Sequence, residues 1–438
     1  MKSFLLNALD DIRSSYWFIP TIMAILATLA SFAMIEVDVV MNASGPDWLK
    51  WLFDNQPEGA REVLSTIAGS MITVAGVVFS ITLVSVSNAA FQFGPRLLTT
   101  FMRDRANQIT LGTFIATFLY CLMVLRAVQS APQDASSETA SAFVPHVALL
   151  GALILAICSI AVLIYFIHHV PQSIHVSRLL AGIGEEFANR VDTTFPAELG
   201  TPGPGFADTE IDTFRRPFET GSTTEDICAA RAGYVRTIDG DTLLHLARTL
   251  NLHLILWVRP GDFVNAGERV MTLLPQADAP ETSHIDQLRI TVYLDDLRSP
   301  MQDIAFLAQE LSEIAMRALS PGINDPVTAI TAMDWLGAGL TRFGAAEPDC
   351  PLRADSDGTP RILAPATRFD GLLKESLGSI LPFAARNLPA AKGFLQVLDR
   401  MERQLGEADS KALAALRKDM LAIARTELTA PEYATLES

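Results

Sequence analysis

Cysteine, lysine and basic charge are all scarce in this 438-residue chain. The four cysteines are Cys121 and Cys158 in apolar runs, plus Cys228 and Cys350, and no two are close enough in sequence to form a metal knuckle or a redox pair. A disulfide scaffold is not indicated, and no metal site follows from the spacing. No lysine occurs between Lys50 and Lys374, which rules out any cofactor carried covalently on lysine over that stretch. Lys and Arg number 33 against 49 Asp and Glu, giving a net charge of −16. Such a surface repels phosphate backbones and anionic headgroups, so nucleic acid is not an expected partner; inorganic ions of positive charge suit it better. Missing too are a nucleophile–base pair, a Walker or dinucleotide loop and an HExxH helix, so neither an enzyme nor a cofactor is expected.

What the chain has in abundance is apolar sequence. Half its residues are hydrophobic and its mean hydropathy is +0.29, which points to the membrane class. A helix needs about 20 apolar residues to cross the hydrocarbon core. Runs of that kind place four spans at about 15–36, 63–92, 106–127 and 146–168, within a transmembrane domain of residues 1–170. The second uncharged run, Val63 to Pro95, has 33 residues, roughly 50 Å as one helix, so it must tilt, break or protrude. The start lacks a small-residue cleavage site after a short apolar core and reads as a retained first span. Nothing near the C-terminus reads as a lipid-anchor signal.

Basic residues set the expected orientation. Lys2 and Arg13 precede span one, and Arg96, Arg103 and Arg105 lie between spans two and three. The stretch Ala127 to Pro145 carries no Lys or Arg. The positive-inside rule then puts both termini and the Arg-rich loop in the cytoplasm, as expected of a multi-pass protein of a bacterial inner (plasma) membrane. Residues up to Val170 hold 8 Lys and Arg against 11 Asp and Glu, and the remainder 25 against 38, so the acidity sits in the soluble part.

Beyond residue 170 the apolar runs shorten. Residues 171–224 read as a helical linker and loop, broken at Pro202-Gly203-Pro204-Gly205. Residues 225–298 read as a small β module, a barrel or sandwich, from Ala230–Asp239, Leu254–Val258, Phe263-Val264 and Gly267–Leu274. Gly233-Tyr234-Val235, Pro260-Gly261-Asp262-Phe263-Val264 and Gly267-Glu268 look like the hairpins of biotinyl and lipoyl carrier domains, whose modified lysine is absent here. Residues 299–438 read as a helical cytoplasmic region. Ile304, Leu307, Ala308, Leu311, Ile314, Ala315, Ala318 and Leu319 make one apolar helix face. Ser320-Pro321-Gly322-Ile323-Asn324-Asp325-Pro326 ends it, with Asp325 as N-cap and Pro326 at the first position of the next helix. From about Arg368 two or three amphipathic helices are expected. The fold class is thus a four-helix transmembrane region followed by an α+β soluble domain with C-terminal helices.

Three groups of residues stand out. Thr66, Ser70, Thr73, Ser80 and Ser87 share one stripe of the second span, with Gly69 and Gly76 beside it. Such a face meets other helices or water and not lipid: close packing is the plainer reading, a pore or solute path the functional one. Arg96, Arg103, Arg105, His168 and His169 mark the expected cytoplasmic interface; His168 and His175 share a helix face, but interfacial anchoring outweighs a metal or proton-sensing site there. Ser320, Asn324 and Asp325 form a structural motif at helix ends. Asp239, Asp241 and Asp262 are turn carboxylates in preference to cation ligands.

Several segments resemble one known family. Phe79–Val84, Gln92–Leu98, Phe101–Arg105 and Leu111–Phe114 are similar to its membrane half. Tyr165–His169, Gly233–Val235, Arg259–Asp262 and Ala318–Pro326 are similar to its other signatures, and the last is specific. One departure is Arg298-Ser299 where Arg-Thr is expected, and the tail beyond Cys350 is less recognisable. The family comprises bacterial predicted membrane proteins of unknown function (the domain of unknown function 2254 family). The resemblance implies a bacterial inner-membrane protein and supplies no catalytic assignment. The functional expectation is a homo-oligomeric, channel-like or transport-related protein with a cytoplasmic regulatory domain. The alternative is a non-conducting scaffold or sensor that binds a partner through that domain.

Overall fold

The structure, a computed structural model, describes residues 15–41, 57–93, 105–129, 143–173, 176–197, 199–202, 208–220, 224–276, 280–346 and 350–437. They form two compact units that divide between His175 and Val176.

The first unit is helical: α1 (Phe18–Met41), α2 (Pro57–Phe93), α3 (Arg105–Ala127) and α4 (His146–Ser173). Among the described residues, four stretches are long and apolar enough to cross a bilayer: Phe18–Val40, Pro57–Ser87, Arg105–Ala127 and His146–His169. The long second run does not break. Its 37 residues form one helix, about 56 Å at 1.5 Å per residue. Charge density explains where it can extend beyond the hydrocarbon, since Glu58, Arg61 and Glu62 all fall in its first two turns. Helix α3 is the central element: it buries Tyr120, Cys121 and Val124 against Leu64 and Ala68 of α2 and Ala148 and Ala152 of α4, and Phe114 against Met71 and Ala75 of α2 and Phe166 of α4. Gly112 lets α1 approach, because a Cβ there would run into Met23 and Pro20. Polar groups inside the bundle find partners across helices. Thr117 Oγ1 and Ser159 Oγ lie 2.9 Å apart, the Tyr120 hydroxyl donates to the Ala148 carbonyl, and the Asp38 carboxylate accepts from the Val147 and Ala148 amides.

The second unit begins with α5 (Val176–Arg190) and continues through β1 (Thr201–Pro202) and α6 (Asp208–Glu219). Strands β2 (Glu225–Cys228), β3 (Gly233–Ile238), β4 (Leu252–Leu256), β5 (Phe263–Val264), β6 (Arg269–Pro275) and β7 (Val292–Asp295) follow, interrupted by helices α7 (Gly240–Thr249) and α8 (Thr282–Arg289). Helices α9 (Ile304–Ala318) and α10 (Pro326–Gly344) precede β8 (Leu352–Ala354) and β9 (Pro360–Leu363). Five helices end the chain: α11 (Phe369–Glu375), α12 (Leu377–Ala384), α13 (Leu388–Glu402), α14 (Glu407–Glu427) and α15 (Ala430–Glu437). Sequence periodicity suggests two or three; two of the four breaks fall at Ser376, which leaves helical geometry, and at Asn387, which N-caps α13 by accepting from the Ala390 amide.

The strands correct the expectation of a barrel within 225–298. They lie in two open sheets, one ordered β1-β8-β9-β4-β6-β2 and the other β5-β3-β7, and neither closes on itself. The larger sheet draws β1, β8 and β9 from outside that segment. Strand β4 pairs antiparallel with β6 through Leu254↔Leu273 and parallel with β9 through Leu254↔Ile362. Both of its edges are therefore used, and among the described residues β1 and β2 are the outer strands of the sheet. Ile227, Leu243, Leu252, Leu254, Met271, Leu273 and Ile362 pack into one buried cluster between sheet and helices. Burying an aliphatic side chain of this size contributes about 1.5–3 kcal/mol. The apolar face predicted along α9 is inside: Ile304, Leu307, Ala308, Leu311, Ile314, Ala315 and Ala318 are all buried.

Candidate functional site

Two places carry chemistry: one face of α2 in the first unit and a polar cavity in the second.

Helix α2 has two unlike faces. Leu64, Ala68, Met71, Ala75, Val78, Thr82 and Val86 are buried against the bundle. Thr66, Gly69, Ser70, Thr73, Gly76, Ser80 and Ser87 are exposed on the other side, and Gly69 and Gly76 have open space where a Cβ would stand. The hydroxyls are not idle. Ser70 donates to the Ile67 carbonyl at 2.9 Å, Thr73 to Gly69 at 2.8 Å and Ser80 to Gly76 at 2.9 Å. These bonds to the helix's own backbone satisfy the hydroxyl proton without a neighbour, while the oxygen can still accept.

Of the residues expected at the cytoplasmic interface, Arg96 and Arg103 lie outside the described residues, as does His175. Arg105 is exposed at the first position of α3. His168 and His169 stand near the end of α4; His169 stacks on Tyr165 with ring centroids 5.3 Å apart, and its Nδ1 lies 3.4 Å from the Tyr165 hydroxyl. Among the described residues, no group of three or more His, Cys, Asp or Glu is placed to hold a metal ion.

The Ser320–Pro326 motif builds the turn between α9 and α10. The Ser320 carbonyl accepts from the Ile323 and Asn324 amides, and Asn324 adopts a left-handed φ of 50°. Its side-chain carbonyl accepts from Nδ2 of Asn387, the N-cap of α13, at 3.2 Å. Asp325 caps α10, taking the Thr328 amide at 3.1 Å and the Thr328 hydroxyl at 2.6 Å. That hydroxyl holds the Asp325 carboxyl below the usual carboxylate range. Asp239 caps α7 through the Thr242 amide, and Asp262 receives the Arg259 amide at 2.9 Å, so both have turn or cap roles.

The cavity has a volume of about 230 Å³ and lies where the Arg259–Asp262 turn meets the start of α9 and the end of α11. Its floor is an ion pair. The Arg298 guanidinium donates to Asp303 Oδ2 through Nε at 3.0 Å and Nη2 at 2.6 Å, and to Gln309 Oε1 through Nη1 at 2.6 Å. Asp303 also N-caps α9 by accepting the Phe306 amide, and only 4% of it is exposed. Burial pushes its carboxyl up from the ordinary value, opposed by the pull of Arg298. Gln302 is tied to β3, accepting the Ile238 amide and donating to the Ile238 carbonyl.

The rim is looser. Arg259 Nε stands 3.6 Å from Asp262 Oδ1, and its Nη2 stands 3.8 Å from Glu375 Oε1. The turn is fastened to β3 by the Gly261 amide on the Val235 carbonyl and the Val235 amide on the Asp262 carbonyl, each 2.8 Å. In the sequence, Arg259–Asp262 stands out as a family signature with a turn carboxylate, and Arg298 only as part of a departure from the family pattern. Glu375 and Thr367, which also line the cavity, carry no local signal at all.

The comparisons with known proteins agree with the membrane half of this picture. The family model described as "Predicted membrane protein (DUF2254)" matches residues 13–400. The uncharacterized proteins Rv1290c of Mycobacterium tuberculosis and Mb1321c of Mycobacterium bovis are each 31% identical over 393 residues, covering 89% of this chain and 72% of theirs. No solved structure matches the chain. With four bilayer-length helices and a family match over nearly its whole length, the chain belongs to the predicted membrane protein family DUF2254.

Proposed function

We propose that the protein is a homo-oligomeric, channel-like or transport-related protein of the bacterial inner membrane, in which α2 lines or closes a path between subunits. Its observational support is the exposed hydroxyl and glycine face of α2 from Thr66 to Ser87. A lone bundle in lipid would show hydrocarbon there; small polar residues favour contact with another helix or with water. In this reading both termini and the soluble unit are cytoplasmic, following Arg105 and the other arginines between α2 and α3. The soluble unit then assembles or gates the path, inorganic ions are the solutes, and no enzymatic step is assigned.

The test is ion flux into liposomes from the purified protein beside a Ser80→Leu/Ser87→Leu variant. Flux in the wild type that is lost in a normally folded variant supports the proposal. A wild type silent across several ions, pH values and membrane tensions overturns it. The second reading is a non-conducting scaffold or sensor that binds a partner through the soluble unit. It draws on the bonds from Ser70, Thr73 and Ser80 to their own helix, which let that face pack dry against a second protein helix.

A further inference from the structure

The cavity beneath the Arg259–Asp262 turn has a mouth of mixed charge over a neutralised floor. On the floor, Asp303 takes two bonds from Arg298 and one from the Phe306 amide, while Arg298 uses three of its five N–H groups. That pair is fixed and self-sufficient. The mouth is not. Arg259 makes no side-chain hydrogen bond among the described residues and hovers between Asp262 and Glu375 at 3.6 and 3.8 Å. Loose pairs at partly exposed positions contribute little to stability, so folding alone does not account for a guanidinium held between two carboxylates over a cavity. Gln309, whose carbonyl is taken by Arg298, lines the same space.

Charge balance decides what would fit. Arg259 and Arg298 face Asp262, Asp303 and Glu375, two positive groups against three negative, so a bare dianion meets net repulsion and a bare cation meets Arg259. A molecule with both signs, spaced as Arg259 and its flanking carboxylates are, satisfies each. Size agrees: about 230 Å³ is below the roughly 300–1,000 Å³ of sites for drug-sized ligands. We propose that this cavity binds a small zwitterion of the amino-acid class, its carboxylate on the Arg259 guanidinium and its ammonium on Glu375 and Asp262. The proposal is independent of whether the membrane unit conducts.

The test uses the full-length protein in detergent micelles and follows thermal unfolding at fixed pH and ionic strength. The probes are the common free L-amino acids, with acetate, methylammonium and inorganic phosphate as single-sign controls. At least one amino acid should raise the melting temperature by about 3 °C at saturation, and no control should match it. Arg259→Gln should remove that shift. Glu375→Gln, at the exposed rim, should weaken the amino acid about 10-fold and leave acetate unaffected or tighter. The idea is overturned if no amino acid shifts the wild type, if phosphate or acetate alone reproduces the shift, or if Glu375→Gln binds the amino acid as the wild type does.

Discussion

The Asp303 carboxylate occupies the place where a side chain on Gly261 would begin, since an ideal Cβ there would overlap Oδ2. Gly261 also sits at φ 96°, a backbone region that L side chains rarely adopt. The Arg259–Asp262 turn can therefore close over the Arg298–Asp303 pair only with glycine at this position. Gly261→Ala is expected to destabilise the soluble unit by about 2–4 kcal/mol, from backbone strain and overpacking together. Unfolding of the full-length protein in detergent measures this, and an unchanged midpoint would refute the turn's role as a tight lid on the pair.

Asp325 gives a pH-dependent prediction. The Thr328 hydroxyl and amide hold its folded-state carboxyl below the ordinary value. A depressed carboxyl adds stability that is fully present above the unfolded-state value near pH 4 and is lost as pH falls through the folded value. Asp325→Asn keeps an acceptor for the Thr328 amide but removes the charge. Its deficit against the wild type should be constant from pH 7 to about 5 and shrink toward pH 3. Asp325→Ala should cost about 1 kcal/mol at neutral pH through loss of the cap. Melting temperatures across that range decide it; a deficit that grows with acidity would contradict the assignment.

What was legible in the sequence follows from how local each cause is. Bilayer thickness imposes a length on apolar runs, so the spans can be read directly, and Asp325-Pro326 announces a helix start within two residues. The sheet could not be read this way. Leu254 pairs with Ile362 across more than a hundred residues, and β8 and β9 have only three and four residues, too short for alternation to register. The cavity was invisible for the same reason. Arg259, Arg298 and Glu375 come from three separate segments, and only tertiary closure gives them a common space. The α2 stripe was visible as a pattern, but whether it faced its own bundle depended on which side α3 and α4 cover.

Arg353 is fully buried and serves as a donor hub. Its guanidinium reaches the carbonyls of Leu199 at 2.6 Å, Ala197 at 3.0 Å, Gly200 at 3.1 Å and Cys350 at 3.5 Å, fixing the chain before β1 to the strand β8. A planar fork spreads five donors over three nitrogens and so reaches four separated carbonyls, whereas an ammonium has three donors on a single nitrogen. Arg353→Met should lower stability by about 3 kcal/mol or more through orphaned buried acceptors. Arg353→Lys should recover little of that loss. Substantial rescue by lysine in a denaturation series would show that charge, and not the fork, is what matters.

In the membrane unit, Asp38 of α1 caps a different helix. It is 4% exposed and accepts from the Val147 and Ala148 amides at 2.8 and 2.9 Å, the orphan donors at the start of α4. Asp38→Ala should lower the stability of the unit by about 1–2 kcal/mol, whereas Asp38→Asn, which retains one acceptor, should lose less. Thermal unfolding in detergent separates the two. Equal losses would mean that the negative charge at the helix N-terminus outweighs the hydrogen bonds themselves.

The two faces of α2 make opposite predictions for cross-linking between copies. Ser80 is exposed and Val78 is 2% exposed against the bundle, although they lie two residues apart on one helix. In a protein with Cys121, Cys158, Cys228 and Cys350 replaced, Ser80→Cys should form disulfide-linked dimers on oxidation in proteoliposomes, and Val78→Cys should not. Small residues permit this approach because Gly76 and Gly69 leave room for a neighbouring backbone. If Ser80→Cys stays monomeric while the protein still runs as an oligomer, the assembly uses another surface, and the hydroxyl face then has to meet water or a different membrane protein. If it cross-links, the remaining question is the hydration of the interface, which the flux measured with leucine at Ser80 and Ser87 answers directly.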